Sequence, residues 1–467
     1  MLAILAILAI LAILAMGGAS EASAETLIRW DLERIPPTQA LGITTIVVPA
    51  TQPAAIRTAL EQGYRVYVEI EAASAAGFKP ITGTAGIIVK GTLPAAQIDR
   101  LAQPGTPVRV ADDRGKWPHI RTNWVTRNKD VLQVTNRSSQ PWLENNEALV
   151  RIAMERAPAA RPPVLLTYTW QPVTVSDLDR GPRLENYLVA IAEAGSFGAD
   201  LVLPLHQRFE EALVNGDPDA RADWEEITRF VSFYAWNVPF QHEAVANVGV
   251  VTADPMRAFE VMNLLARHNL PFVSIAPSAL AAHELTGVDL LIVLDDLDDR
   301  GLQRVDAFAN AGGTALLAGT AAVKPGAAAL PWHRSAPVKS ERRVSYTVGK
   351  GRIVEHQDAP SDPNTFALDM RQLLGSGRRI VDIWNGITVL VAPYARRSGD
   401  GMLVTALNYA AQPLPLQVRV RGTFSRVQYE TPGQPTALLP FEHRDDGTEF
   451  VLPALRIGAR IFLTPLP

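Results

Sequence analysis

The stretch "YRVYVEIEA" at residues 64–72 sets Val66, Val68 and Ile70 at every second position and interleaves Tyr67, Glu69 and Glu71. Side chains alternate across a strand, so the aliphatic residues share one face and the two acids share the other with the tyrosine. Why a core strand holds two carboxylates on one face depends on the sheet around it, and the alternation of β-runs with helical patterns along the chain predicts a closed barrel. There the strand's apolar face meets a layer of helices, and its acidic face turns inward. An ionised carboxylate inside such a cylinder needs a cation. For Glu69 the expected partner is Arg109 of "PVRVADD" (107–113), with Arg29 as the other candidate. Glu71 lies further toward the C-terminal end of the strand, the end at which barrel enzymes place their chemistry.

Working outward, short β-branched runs alternate with helical patterns from Glu25 to Ala244. The strand candidates are "LIRWDL" at 27, "ITTIVVPA" at 43, "RVYVEIEA" at 65, "GIIVKG" at 86, "PVRVADD" at 107, "NWVTR" at 123, "VLLTYTW" at 164 and "DLVLPLH" at 200. Helical patterns such as "PAAIRTALEQG" and "RLENYLVAIAEAG" fall between several of them. Strands joined by such crossovers predict a parallel sheet, here a (β/α)8 TIM-like barrel over residues 25–244.

A second unit, residues 245–360, runs strand, helix, strand, strand, helix, strand from "VANVGVVTADP" to "GTALLAGTA". That order predicts a small doubly wound, flavodoxin-like α/β domain. Its "AGGTA" turn (311–315) precedes a strand, whereas a phosphate-binding glycine loop opens a helix, so no nucleotide is assigned to it. In the third unit, residues 361–467, seven short β-runs from "IVDIWN" to "ARIFLTPL" are punctuated by Gly, Asp and Pro, which predicts an antiparallel β-sandwich.

The 44 basic and 48 acidic residues of the 467-residue chain leave a formal charge of -4 without a Lys/Arg-rich run. Nucleic-acid binding is therefore not expected. The opening "MLAILAILAILAILA" is apolar and ends in a segment where Ala22-Ser23-Ala24 fits a small-residue processing site. Residues 1–24 are read as a secretory signal cut near Ala24, giving a secreted or periplasmic protein with no stable membrane insertion after cleavage. A retained anchor is the alternative, although the run is short for a span of ~20 residues. With no cysteine in the chain, disulfides and thiolate chemistry are excluded.

The order barrel, doubly wound domain, terminal β-domain resembles bacterial glycoside hydrolases of the beta-galactosidase type. The likeness is carried by "VGVV", "LLARHNLPFVSI", "VDLLIVLDD", "FANAGGTALLAGTA" and "GKGRIVEH", which look like the glutamine-amidotransferase-like trimerisation domain. The segment "MLVTALNYAAQPLPLQVRVRGTFSRVQYETPGQ" (402–434) is similar to the β-domains that end such enzymes. The resemblance implies a carbohydrate ligand, glycosidic-bond chemistry by carboxylates, and self-association. Two departures stand against a full transfer. The cysteine nucleophile of amidotransferases is missing, and the strands ending "IIVKG" and "TYTWQP" carry no carboxylate where the family sets its catalytic pair.

Within this frame Glu71 is the candidate acid and Asp113 the candidate base. They sit on strands two inter-strand spacings apart, roughly 10 Å, near the ~6.5 to 9.5 Å of inverting glycosidases. Asp31, Glu69, Trp30, Trp124, Trp170 and His206 are the candidate sugar contacts, because flat aromatic faces and polar strand ends suit pyranose rings. Asp177 and Asp179 are further mouth carboxylates. The eight histidines show no paired ligand spacing, so no metal and no cofactor are assigned. The alternative is a non-catalytic glycan-binding or assembly protein on the same scaffold.

Overall fold

The computed structural model describes residues 25–102, 106–121, 125–128, 131–134, 141–156, 164–170, 181–235, 241–318, 330–340, 343–356, 362–397, 399 and 401–466. Seven parallel strands close into a barrel: Thr26–Arg29, Thr45–Pro49, Arg65–Glu71, Gly86–Lys90, Val108–Asp112, Leu165–Thr167 and Asp200–Pro204. The ring closes where the first strand pairs with the last, Leu27 opposite Val202.

The expected eighth strand, "NWVTR", is not in the barrel. Its described part, Val125–Asn128, pairs antiparallel with Val131–Val134. Two β-prone runs separated by two residues form a local hairpin more readily than either joins a distant ladder. The fifth barrel strand pairs directly with Leu165–Thr167.

Strand alternation sorts the barrel as the opening stretch predicts. Val66, Val68 and Ile70 join the large cluster between the barrel and its helices. Inside, Leu27, Val47, Tyr67, Ile88, Ala111, Leu165 and Val202, one residue from each strand, form a separate apolar plug. Tyr67 fits because the neighbouring strand offers Gly86, where a Cβ would come within 2.5 Å of the tyrosine ring. Two residues toward the C-terminal ends, alternation places Arg29, Glu69, Lys90 and Thr167 on the same inward side. Two residues the other way it places Glu25, Arg109 and Asp200.

The expected Glu69–Arg109 pair does not form. Arg29 takes Glu69, with Nε donating to Oε1 at 2.8 Å. Arg109 binds Asp200 below the plug, and its Nη1 lies 3.4 Å from Glu25. Glu69 and Arg109 flank the same strand, both opposite Ile88, yet the plug lies between their side chains. The tilt of barrel strands carries residues that match along a ladder to different heights.

Beyond the barrel, a seven-stranded sheet runs in the order Phe272–Ile275, Val248–Val251, Leu290–Val293, Thr314–Leu317, Gly351–His356, Arg343–Val348, Val338–Lys339. Its first five strands are parallel and its last two antiparallel. Helices Phe259–Arg267 and Pro363–Leu374 cover one face, and Asp299–Asn310 contributes to the cluster on the other. Ala148 and Ile152, from the helix Glu147–Arg156, enter the first of these clusters and tie this sheet to the barrel region. Ten further strands form antiparallel sheets of six and four strands that share one core, and His119–Arg121 pairs separately with Trp142–Glu144. All seven runs expected after Ile380 are strands. Among the described residues, no helix is long and apolar enough to cross a membrane.

Candidate functional site

Above the plug, the C-terminal ends of the barrel strands surround a cleft of about 230 Å³. Arg29, Glu69, Lys90 and Thr167 form its floor, and Trp117, Tyr168, Trp170, Leu205 and His206 its walls. The floor residues are the inward positions one step beyond the plug. The plug thus makes the barrel a closed cup.

Arg29 is the centre of the floor. Its guanidinium binds Glu69 on one side and Asp31 Oδ2, at 2.5 Å, on the other. Glu69 is 7% exposed, and this pairing compensates its charge. Asp31 is held in turn by its own backbone: the N–H groups of Asp31 and Leu32 donate to Glu210 at 2.9 to 3.1 Å. Burial pushes the Glu210 carboxyl up to about 8, against the two backbone donors. Burial also raises the Asp31 carboxyl, opposed by Arg29.

The aromatic wall is built edge to face. Trp117 meets Trp170 with ring centroids 5.3 Å apart at 83°, and meets Tyr187 at 5.7 Å. Such contacts fix both indoles in place. Among the described residues, Trp117 Nε1, Trp170 Nε1 and Asp31 Oδ1 are buried without a hydrogen-bond partner. Buried polar atoms are ordinarily paired.

Of the residues singled out in the sequence, Glu69, Trp170 and His206 line this cleft. His206 also caps the helix Gln207–Asn215, its Nδ1 accepting from Arg208 N at 3.4 Å. Asp31 stands behind Arg29, outside the lining. Glu71 is 64% exposed, 3.7 Å from Lys90 Nζ, and Asp113 is exposed in the turn after the fifth strand. Both lie outside the lining, so the expected acid and base do not converge in the cleft. Trp30 is wholly buried, its Nε1 donating to Arg34 O, and belongs to the core rather than to any sugar platform. Aromatic residues at strand ends fill gaps between strands and helices as readily as they face a groove. Trp124, Asp177 and Asp179 lie outside the described residues.

Lys90 and Glu210 were not singled out. Lys90 was legible, two positions beyond inward-facing Ile88. Glu210 was not, because an acid on an amphipathic helix reads as part of its polar face. Among the described residues, no group of three or more metal-ligating side chains is placed to hold an ion.

No family model matches the chain, and no curated protein does. Solved structures do. Alpha-L-fucosidase isoenzyme 2 from Paenibacillus thiaminolyticus aligns over 95% of this chain and 100% of its own, with a TM-score of 0.55 and 13% identity. A beta-galactosidase from Bacillus circulans sp. alkalophilus covers 95% of this chain and 99% of its own at a TM-score of 0.47 and 10% identity. Exo-beta-1,4-mannosidase Op5Man5 from Opitutaceae bacterium strain TAV5 covers 76% and 97% at 0.42 and 12%. At these identities the likeness concerns the fold alone, and the fucosidase carries it. The multidomain barrel fold is one that glycoside hydrolases use.

Proposed function

We propose that this chain is an exported protein that holds a saccharide in the cleft at the barrel mouth. The observation that carries the reading is the cleft itself, in which an aromatic wall of Trp117, Tyr168 and Trp170 stands over the charged Arg29–Glu69 floor. An apolar face beside convergent charged donors and acceptors suits a sugar ring and its hydroxyls. The fold shared with the fucosidase supports the same class of ligand. Export rests on the apolar opening run and the Ala22-Ser23-Ala24 site. The domain reading goes with it: a barrel over 25–244, a flavodoxin-like and trimerisation-like module over 245–360, and a β-sandwich over 361–467. Self-association rests on that middle module.

Hydrolysis of a glycosidic bond is the second reading. It is favoured by two carboxyls that share Arg29, because Glu69 is paired while burial raises Asp31, whose Oδ1 has no partner.

Glycan-array binding with a parallel hydrolysis screen tests both. Trp170→Ala is expected to weaken the saccharide by roughly tenfold, the scale of one aromatic contact, and Glu71→Gln to leave it unchanged. Failure of the mature protein to retain any glycan would overturn the binding reading. Turnover abolished by Glu69→Gln or Asp31→Asn would establish the second.

A further inference from the structure

Beneath the plug, the floor of the barrel holds an unbalanced cluster of charge. Asp200 is 3% exposed, and its two oxygens have different partners. Oδ2 accepts from Arg109, and Oδ1 accepts from the main-chain nitrogen of Glu25 at 2.7 Å. The Glu25 carboxylate lies 3.4 Å from the same Arg109. Two carboxylates therefore share one guanidinium. Arg109 and Glu25 are the charged groups that act on Asp200. Burial pushes the Asp200 carboxyl up to about 6 even with Arg109 in contact.

The nitrogen that meets Asp200 is a neutral amide only while a residue precedes Glu25. The sequence immediately before it is Ala22-Ser23-Ala24, the small-residue pattern after which a leader is cut. We propose that Asp200 is the acceptor for the α-ammonium created by cleavage between Ala24 and Glu25. Hydrolysis of that peptide bond adds one water, leaves the carboxylate on Ala24 and frees the amine of Glu25, which takes up a proton. The floor then holds two carboxylates and two cations, and the cluster is neutral.

The geometry is specific to that bond. Glu25 O already accepts from Leu201 N at 3.0 Å, so residue 25 is fixed against the last barrel strand. A cut one residue earlier would push the ammonium beyond Asp200, and a cut one residue later would remove Glu25 from the cluster. An ammonium has three donors where an amide has one, so the 2.7 Å contact is kept and becomes an ion pair.

The proposal rests on export with removal of the leader, and its test separates the two. N-terminal sequencing of the exported protein is expected to begin at Glu25; another first residue overturns the processing step. The acceptor is tested on chain released from a fusion by a protease that leaves Glu25 first, compared with the same chain acetylated at its amine. The free amine is expected to titrate at least about one unit above the ordinary α-amino range of about 7.7 to 8.0, followed by the pH dependence of its acylation. Acetylation is expected to lower Tm by roughly 2 to 4 °C near pH 7. That difference should vanish as pH rises through the raised pKa, because a raised folded pKa contributes stability only below it. Asp200→Asn should return the amine to its ordinary titration. Since that substitution also removes one of the two carboxylates around Arg109, the free and acetylated wild-type chains remain the deciding pair. An amine that titrates normally, with Tm unchanged on acetylation, overturns the acceptor.

Discussion

The two ends of the barrel carry the same device in opposite settings. At the floor an arginine and an aspartate, Arg109 and Asp200, meet beside Glu25, the residue before the first barrel strand. At the mouth Arg29 and Glu69 meet at the base of an open cleft. One apolar ring of seven inward residues separates them. Both pairs arise from the same alternation and join strands that have one strand between them, so residue type does not distinguish a structural ion pair from an available one. Closure does. The floor pair is the more enclosed, with the Arg109 and Asp200 side chains 12% and 4% exposed, whereas the Arg29 side chain keeps 25% of its surface exposed in the lining of a cleft.

Removing the cation at each end should break the comparison most sharply. Arg109→Leu strips the buried Asp200 of its side-chain partner, and losing one partner of a buried pair costs about 3–5 kcal/mol. Arg29→Leu leaves Glu69 beside a cleft that water enters, so the expected cost is about 1–2 kcal/mol. Urea denaturation of the two variants measures the difference, and equal losses would show the two ends to be equally closed.

The barrel was legible in the alternation of β-runs with helical patterns from Glu25 to Ala244, and the opening stretch fixes both faces of one of its strands at once. Tyr67 in the plug, and Val66 and Val68 against the helices, follow from nothing more. The eighth strand was misread because "NWVTR" has the composition of a strand but finds its partner in the next few residues. Of the two cations the sequence offers Glu69, the second, Arg29, is its partner, because ladder position says which residues are adjacent and strand tilt decides which are level. The least legible residues are buried acids on helices. Glu210 is held by the backbone of Asp31 and Leu32, and Glu193 by Asn146, Tyr168 and Tyr409. Those contacts span 25 to 216 residues of sequence, and no local pattern announces them.

Glu193 sharpens the comparison because it is a buried carboxylate whose hydrogen-bond partners are all uncharged. Asn146 N and Nδ2 and the hydroxyls of Tyr168 and Tyr409 donate to it at 2.6 to 3.1 Å. Burial nevertheless pushes its pKa up from 4.5 to about 7, outweighing the four donors. The folded state therefore holds this proton more tightly than the unfolded chain does. The resulting stability is full below pH 4.5 and is lost as pH rises through about 7. Glu193→Gln is expected to flatten the fall of the urea midpoint across that window. An unchanged pH profile would mean that the proton is held elsewhere.

The smallest effect is expected at the rim, where Lys90 Nζ lies 3.7 Å from Glu71. Glu71 is 64% exposed there, so solvent screens the pair and ordering two long side chains offsets what attraction remains. Lys90→Ala should therefore change stability by less than about 0.5 kcal/mol. Its ammonium also borders the cleft, however, and a saccharide hydroxyl held there would lose a donor. Measured on one variant, near-unchanged urea stability with weakened glycan affinity would place Lys90 with Arg29 among the binding groups. A stability loss as large as that of Arg109→Leu would instead show the mouth to be as tightly sealed as the floor.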